Sequence, residues 1–361
     1  MAEKTETQKK IYDWGIISKY RTALMGVATI LVLLIHANEY QWPGYLYWAY
    51  KLISEGSIGV DIFLFLSGIG LYYSMNKKTD ILDFYKRRFE RIVPIYLLIS
   101  VPLYIVIFLF INPGSLFDYL LHVSSFSFWY QNRGSWGEAW YISFIIPLYL
   151  IYPFIYLLMQ KNKKSFIPLL IISFAVKILL IYCNPAYYEQ IELAVSRLPI
   201  FIIGCYCGLL VYEKKELSAK KSIIITAASL FCFLLIRLSN IMFTDKNSFV
   251  YGSVVRISNI FLTFFIVFTC CFLFNLLTFN EKSDGGGERN LFIFDFFGKY
   301  SLEIYLAHRL LSYIYIFSPL YKFYPQFWIY CLIIVPISIL AAVLFRKLLT
   351  LLTCCFIRKN E

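Results

Sequence analysis

Charge is scarce in this sequence. Only 16% of its 361 residues are Asp, Glu, Lys or Arg, whereas 60% are apolar. Soluble domains run nearer 25% charged and 45–50% apolar. An ordinary soluble fold is thereby excluded, because the apolar runs recur from residue 22 to residue 357 with only short polar breaks. Histidine is scarcer still, at three residues, and the nine cysteines lie almost all inside apolar runs, where a thiol behaves as a small hydrophobe. No disulfide framework is indicated, and Cys205 and Cys207, two apart with no His beside them, do not make a metal site. No small-residue cleavage site follows the first apolar run, so that run is expected to be a retained span and not a signal peptide. No internal repeat is visible, which disfavours the repeat-built architecture of many transporters. The loop holding Gly285, Gly286 and Gly287 lacks the Lys-Ser/Thr pair of a phosphate loop and reads as a flexible linker.

Long apolar runs fill the space that charge leaves. A bilayer core takes about 20 apolar residues per helix, and ten candidate spans follow: 22–38, 56–75, 92–111, 138–159, 165–183, 194–212, 222–239, 253–278, 298–317 and 327–353. The expected fold is therefore an all-α integral membrane protein. Aromatics at 20%, with 30 Tyr and 34 Phe, suit its many water–lipid interfaces. The net charge of +12 is placed unevenly: one alternate set of connecting segments carries 24 Lys and Arg, the other only Lys51, Arg133, Lys246 and Lys322. The positive-inside rule then puts both termini in the cytoplasm and accounts for the basic excess without nucleic acid. The expected organisation is a cytoplasmic segment 1–21, a ten-helix domain over 22–353 and a cytoplasmic tail 354–361.

Ionisable groups inside such spans are functional candidates by default, since a charge in hydrocarbon costs several kcal/mol unless paired or hydrated. His36 closes the first span and Asp61 opens the outer end of the second, its antiparallel neighbour, so both fall at a similar depth. A carboxylate beside an imidazole fixes its tautomer and raises its basicity, as a general base for a hydroxyl requires. The alternative is a surface-bonded His and a helix-capping Asp. Arg87, Arg88 and Arg91 stand at the cytoplasmic mouth of the third span, at helical spacings that gather guanidiniums on one face. Such forks match phosphate oxygens, although a topogenic patch touching lipid headgroups has the same spacing. Trp140 and Tyr141 open the fourth span, Arg197, Arg237 and Arg256 sit at outer span ends, and Glu303 and His308 lie inside the ninth. These are candidate sugar or carbonyl contacts, or side chains that merely snorkel.

Four strings, in this order and spacing, resemble membrane-bound acyltransferase family 3: Gly59-Val60-Asp61 through Ser67-Gly68; Phe84 through Arg88, then Arg91-Ile92-Val93-Pro94; Trp140-Tyr141 through Tyr152-Pro153; and Gly298-Lys299-Tyr300-Ser301-Leu302-Glu303 through His308. The resemblance implies about ten transmembrane helices that move acyl groups, usually acetyl, from cytoplasmic acyl-CoA to hydroxyls of an extracytoplasmic glycan or lipid-linked precursor. It implies His36 as the essential imidazole, Arg88 and Arg91 as the Arg-x-x-Arg pair, and Asp61 as the acid of Gly-Val-Asp. Two positions depart from the family pattern. Met25 stands where many members carry a cation eleven residues before the His, with Arg21 the nearest cation, and Ile145 stands where many carry a Glu, with Glu138 just upstream.

The function expected is an O-acyltransferase in a bacterial cytoplasmic membrane, using acyl-CoA as co-substrate, with no resident cofactor and no metal. A transporter or flippase for a glycan or small solute, with His36 and Asp61 relaying protons, is the alternative reading.

Overall fold

Chain buried in lipid must satisfy each backbone N–H and C=O within itself, and helices do so segment by segment. In the computed structural model, which describes residues 13–77, 79–111, 113–130, 139–239, 249–283 and 291–358, the apolar runs are helices. Among the described residues the only β pairings are two isolated bridges, Asp13 with Glu216 and Gln41 with Gln326. Arg133, Glu138 and the Gly285–Gly287 loop lie outside the described residues.

Among the described residues, the α-helices of seven residues or more are α1 (Arg21–His36), α2 (Tyr47–Ile53), α3 (Ile58–Lys77), α4 (Ile81–Val106), α5 (Leu116–Val123), α6 (Ala139–Lys161), α7 (Phe166–Cys183), α8 (Pro185–Val195), α9 (Leu198–Tyr212), α10 (Ala219–Ser239), α11 (Phe249–Ser283), α12 (Phe292–Lys299), α13 (Ser301–Phe317) and α14 (Val335–Arg358). Among the described residues, nine helical stretches are long and apolar enough to cross a membrane. The one expected span not among them is the ninth, 298–317, which is split at Tyr300 into the end of α12 and the 17-residue α13. Seventeen residues rise about 26 Å, at the short end of what a bilayer core requires.

The third span begins earlier than residue 92, because Asp80 caps α4. Its carboxylate accepts the N–H groups of Leu82 and Asp83 at 2.8 and 3.4 Å, two of the donors a helix start leaves open. The run Lys86 to Arg91 is therefore carried within the helix and not on a loop at its mouth.

Close packing without a hydrophobic drive between helices calls for small residues. On α9, Gly204 faces the backbone of Phe65 on α3, and Gly68 on α3 faces the backbone of Gly204 and Cys205. Likewise, Gly26 on α1 meets the Phe294 carbonyl of α12, and Gly298 meets that of Thr22. A Cβ at any of these positions would overlap main chain, so α3 with α9 and α1 with α12 form two tight pairs. Around them, α7 and α10 expose Ile171, Leu179, Ile223, Phe231 and Leu235, faces that suit lipid.

Candidate functional site

Between α1, α3, α4, α6 and α13 lies a cavity of about 730 Å3, counting its open mouth. Its basic end presents three guanidiniums, those of Arg21, Arg88 and Arg91, and its walls include Ser67, Tyr141, Tyr149, Ser301 and Tyr305. Arg88 lies 5.6 Å from the Phe84 ring centroid and 6.0 Å from that of Tyr149, a geometry that holds a cation in place by its faces. Its Nε is buried without a protein partner. Arg21 donates from Nε to the Leu66 carbonyl at 3.1 Å and passes over Gly70, where a Cβ would stand 2.5 Å from Nη2. Glycine at 70 is thus what lets Arg21 lie against α3.

Met25 also lines this cavity. Arg21 and Met25 are i, i+4 and share one face of α1, so a long Arg side chain one turn lower opens into the same space. Ile145 lines it too, which makes that wall apolar. Arg87, expected beside Arg88 and Arg91, is not among the lining residues. Neighbouring helical residues point about 100° apart, and Arg87 turns back to Asp83, 3.5 Å away on the preceding turn.

A second, narrower space of about 160 Å3, counting its open side, adjoins the first and shares Val32, Phe63, Ser301 and Tyr305 with it. Its other walls are Thr29, Leu33, Ile304 and His308. Ser301, Tyr305 and His308 repeat at i, i+4 and i+7 along α13, so one helical stripe runs from the guanidinium chamber to the imidazole. His308 is fully buried; its Nδ1 meets the Ile304 carbonyl at 2.9 Å, and its Nε2 has no protein partner.

Beyond His308, with ring centroids 5.2 Å apart, lies His36 at the end of α1. Its acid is Glu39, whose Oε1 is 2.7 Å from His36 Nδ1 and also accepts from Arg309 Nη1 at 2.6 Å. Arg309 Nη1 is 2.7 Å from the same Nδ1. Glu39 can only accept and the guanidinium of Arg309 can only donate, so the His36–Glu39 hydrogen bond requires Nδ1–H and leaves the lone pair on Nε2, with Arg309 Nη1 donating to Glu39 and not to the imidazole. A 3-10 turn at Ala37–Glu39 carries Glu39 back over the helix end. That turn is tied down by Trp42 Nε1 donating to the Ala37 carbonyl and Tyr321 Oη to the Glu39 carbonyl, both at 2.9 Å.

Asp61 is not brought to His36. Gly59 is the residue of α3 that abuts α1, against the Ala28 carbonyl. Asp61, two residues on and about 200° round the helix, faces α9 instead. There it pairs with Arg197 at 3.5 Å, both side chains buried, and Arg197 lies 5.3 Å over the Trp140 ring. Arg256 is held by Glu192 through two bonds of 2.8 and 2.9 Å, Arg237 by Glu55 at 2.6 Å, and Glu303 pairs with Arg346 at 3.6 Å. Of the expected contacts, Arg88, Arg91, Tyr141 and His308 line the two spaces, whereas Arg87, Trp140, Arg197, Arg256 and Glu303 stand in contacts outside them.

Residues 22–347 match the family model described as an acyltransferase domain, that of acyltransferase family 3. The chain belongs to acyltransferase family 3. No curated protein and no solved structure matches it. A multi-pass membrane acyltransferase is therefore the class to which the chambers and the imidazoles belong.

Proposed function

We propose that the protein is an O-acyltransferase that takes an acyl group, acetyl in the simplest case, from cytoplasmic acyl-CoA and delivers it to a hydroxyl on an extracytoplasmic glycan or lipid-linked glycan precursor. The observation that carries this is the alignment of the two adjoining spaces along α13, from a chamber with three guanidiniums to a neck lined by His308, beside His36. Arg21 to His36 spans about 22 Å of one helix, a distance suited to a donor that is anionic at one end and long and thin toward the other. Arg21, Arg88 and Arg91 would hold phosphate oxygens by charge-assisted forks. The thioester would then lie in the neck, whose narrowness favours a short acyl chain. His36 Nε2, held in tautomer by Glu39, takes the proton of the incoming hydroxyl, the task of a general base. The spread of Lys and Arg over one set of connecting segments supports a cytoplasmic donor side.

The test is thiol release from acetyl-CoA by purified protein supplied with methyl hexosides as acceptors. A general base contributes about 10² to 10⁴ in rate, so His36→Ala is expected to abolish turnover while binding of acetyl-CoA persists. Wild-type turnover by that variant would remove the base assignment. Movement of glycan across vesicles with no acyl-CoA consumed would favour a transporter.

A further inference from the structure

The chain has three histidines. His122 lies on α5, its Nδ1 2.7 Å from the Asp118 carbonyl and its ring against Tyr104 and Phe108. Of the other two, only His308 lines the cavity system; His36 is not among the lining residues of either space. A thioester entering along the stripe Ser301, Tyr305 and His308 therefore meets His308 first, with His36 beyond it. The protonation of His308 is also fixed by its surroundings. Nδ1–H is committed to the Ile304 carbonyl, so the lone pair is on Nε2, fully buried and without a protein partner. A buried imidazole nitrogen left open costs free energy unless a bound group completes it. The groups around it are Tyr305 on its own helix, 5.8 Å between ring centroids, and His36 from α1; Arg309, next in the chain, turns to Glu39.

We propose that His308 is a second catalytic imidazole, which carries the proton from His36 to the departing thiolate. This rests on the acyltransferase reading above. The acceptor hydroxyl approaches from the His36 side, the sulfur from the chamber side, and the reacting carbonyl stands between them. In the step, the acceptor O–H breaks and its proton goes to His36 Nε2, while the oxygen forms the new C–O bond. The C–S bond breaks with its electron pair going to sulfur. His36 hands the proton to His308 Nε2, which delivers it to the thiolate. Both imidazoles end neutral, and the products are the ester and the free thiol.

Two measurements test this with the full-length protein in detergent. The first is the wild-type rate of thiol release from acetyl-CoA, with methyl hexosides, in mixtures of light and heavy water. Two linked transfers predict a curved dependence on deuterium fraction; a straight line, one proton in flight, overturns the relay. The second compares His308→Gln on acetyl-CoA and on an acetyl aryl thioester, whose more acidic thiol departs without a proton. The variant is expected to lose about 10²-fold in kcat with acetyl-CoA, with KM little changed, and less than about tenfold with the aryl thioester. Equal losses with both donors, or none with either, overturn the proposal. Absence of thiol release by the wild type overturns the acyltransferase reading, and the relay with it, whereas an active wild type with a straight deuterium plot removes the relay alone.

Discussion

Arg21 and Met25 give the sharpest test of the donor chamber. Arg21→Ala removes one of three guanidiniums lining the cavity. A hydrogen bond to a charged group is worth about 1.5–3 kcal/mol, and each 1.4 kcal/mol is tenfold in affinity. The variant should therefore bind coenzyme A about 10 to 150 times more weakly. Adding Met25→Arg to Arg21→Ala returns a guanidinium to the same face of α1, one turn nearer His36, and to the same cavity. Met25 is buried, and an Arg there meets two like charges with less water around it, so recovery should be partial, about one third to two thirds of the lost free energy. Calorimetric titration of the purified variants with coenzyme A and with its dephospho form measures both steps, and the difference between the ligands reports which phosphate is lost. If Arg21→Ala binds coenzyme A as the wild type does, Arg21 is a snorkelling residue held by Leu66 and the three-cation chamber is wrong. If the double variant recovers nothing, position 25 does not reach the space that Arg21 serves.

Arg88→Ala should weaken coenzyme A binding by about 1.5–3 kcal/mol, while Arg87→Ala, which loses a half-exposed i, i+4 pair with Asp83, should change it by less than about 0.5 kcal/mol; the same titration separates the two. Asp61→Asn leaves Arg197 buried beside a neutral partner and should cost about 3–5 kcal/mol of stability, seen as a large fall in thermal midpoint in detergent, with turnover per folded molecule largely kept. Gly204→Val drives a branched side chain into the Phe65 backbone and should destabilise by at least about 1–3 kcal/mol, read by the same melt, whereas Gly252→Ala, where a Cβ meets nothing within 4 Å, should be silent. Glu39→Gln should lower kcat by about tenfold or more through loss of the charge that sets the His36 tautomer, with coenzyme A affinity unchanged.

Fold class was legible because the bilayer imposes one rule on every residue: runs of about 20 apolar side chains become helices whatever their neighbours. The boundaries were less so. Hydropathy starts the third span at Ile92, just past the charges of Lys86 to Arg91, while the cap at Asp80 starts the helix regardless of charge. The guanidinium pair Arg88 and Arg91 was readable from helical spacing alone. That Arg87 turns away, and that Arg21 joins them, depended on Asp83 behind the one and Gly70 beneath the other, both pairwise facts of packing.

The acid beside His36 shows where sequence reasoning stopped and why. Two antiparallel spans put Asp61 at the right depth for His36, but depth fixes only one coordinate. Rotation about the helix fixes the other, and it is set by Gly59, whose missing side chain lets α3 seat against α1 and so turns Asp61 toward Arg197. Glu39 escaped because it lies three residues past His36, outside the apolar run, where an acid reads as an ordinary surface residue. Only the 3-10 turn, anchored by Trp42 and Tyr321, folds it back. Arg309 had a signal of its own, an arginine in the middle of an apolar run, which by the cost of intramembrane charge was a candidate as strong as His308. Read together, Glu39 and Arg309 would have pointed to each other, since an arginine from α13 at the depth of the His36 end needs an acid, and the nearest acid in the first span's exit is Glu39. Charge balance between spans, applied before depth matching, is thus the stronger guide to which carboxylate serves a membrane-embedded imidazole.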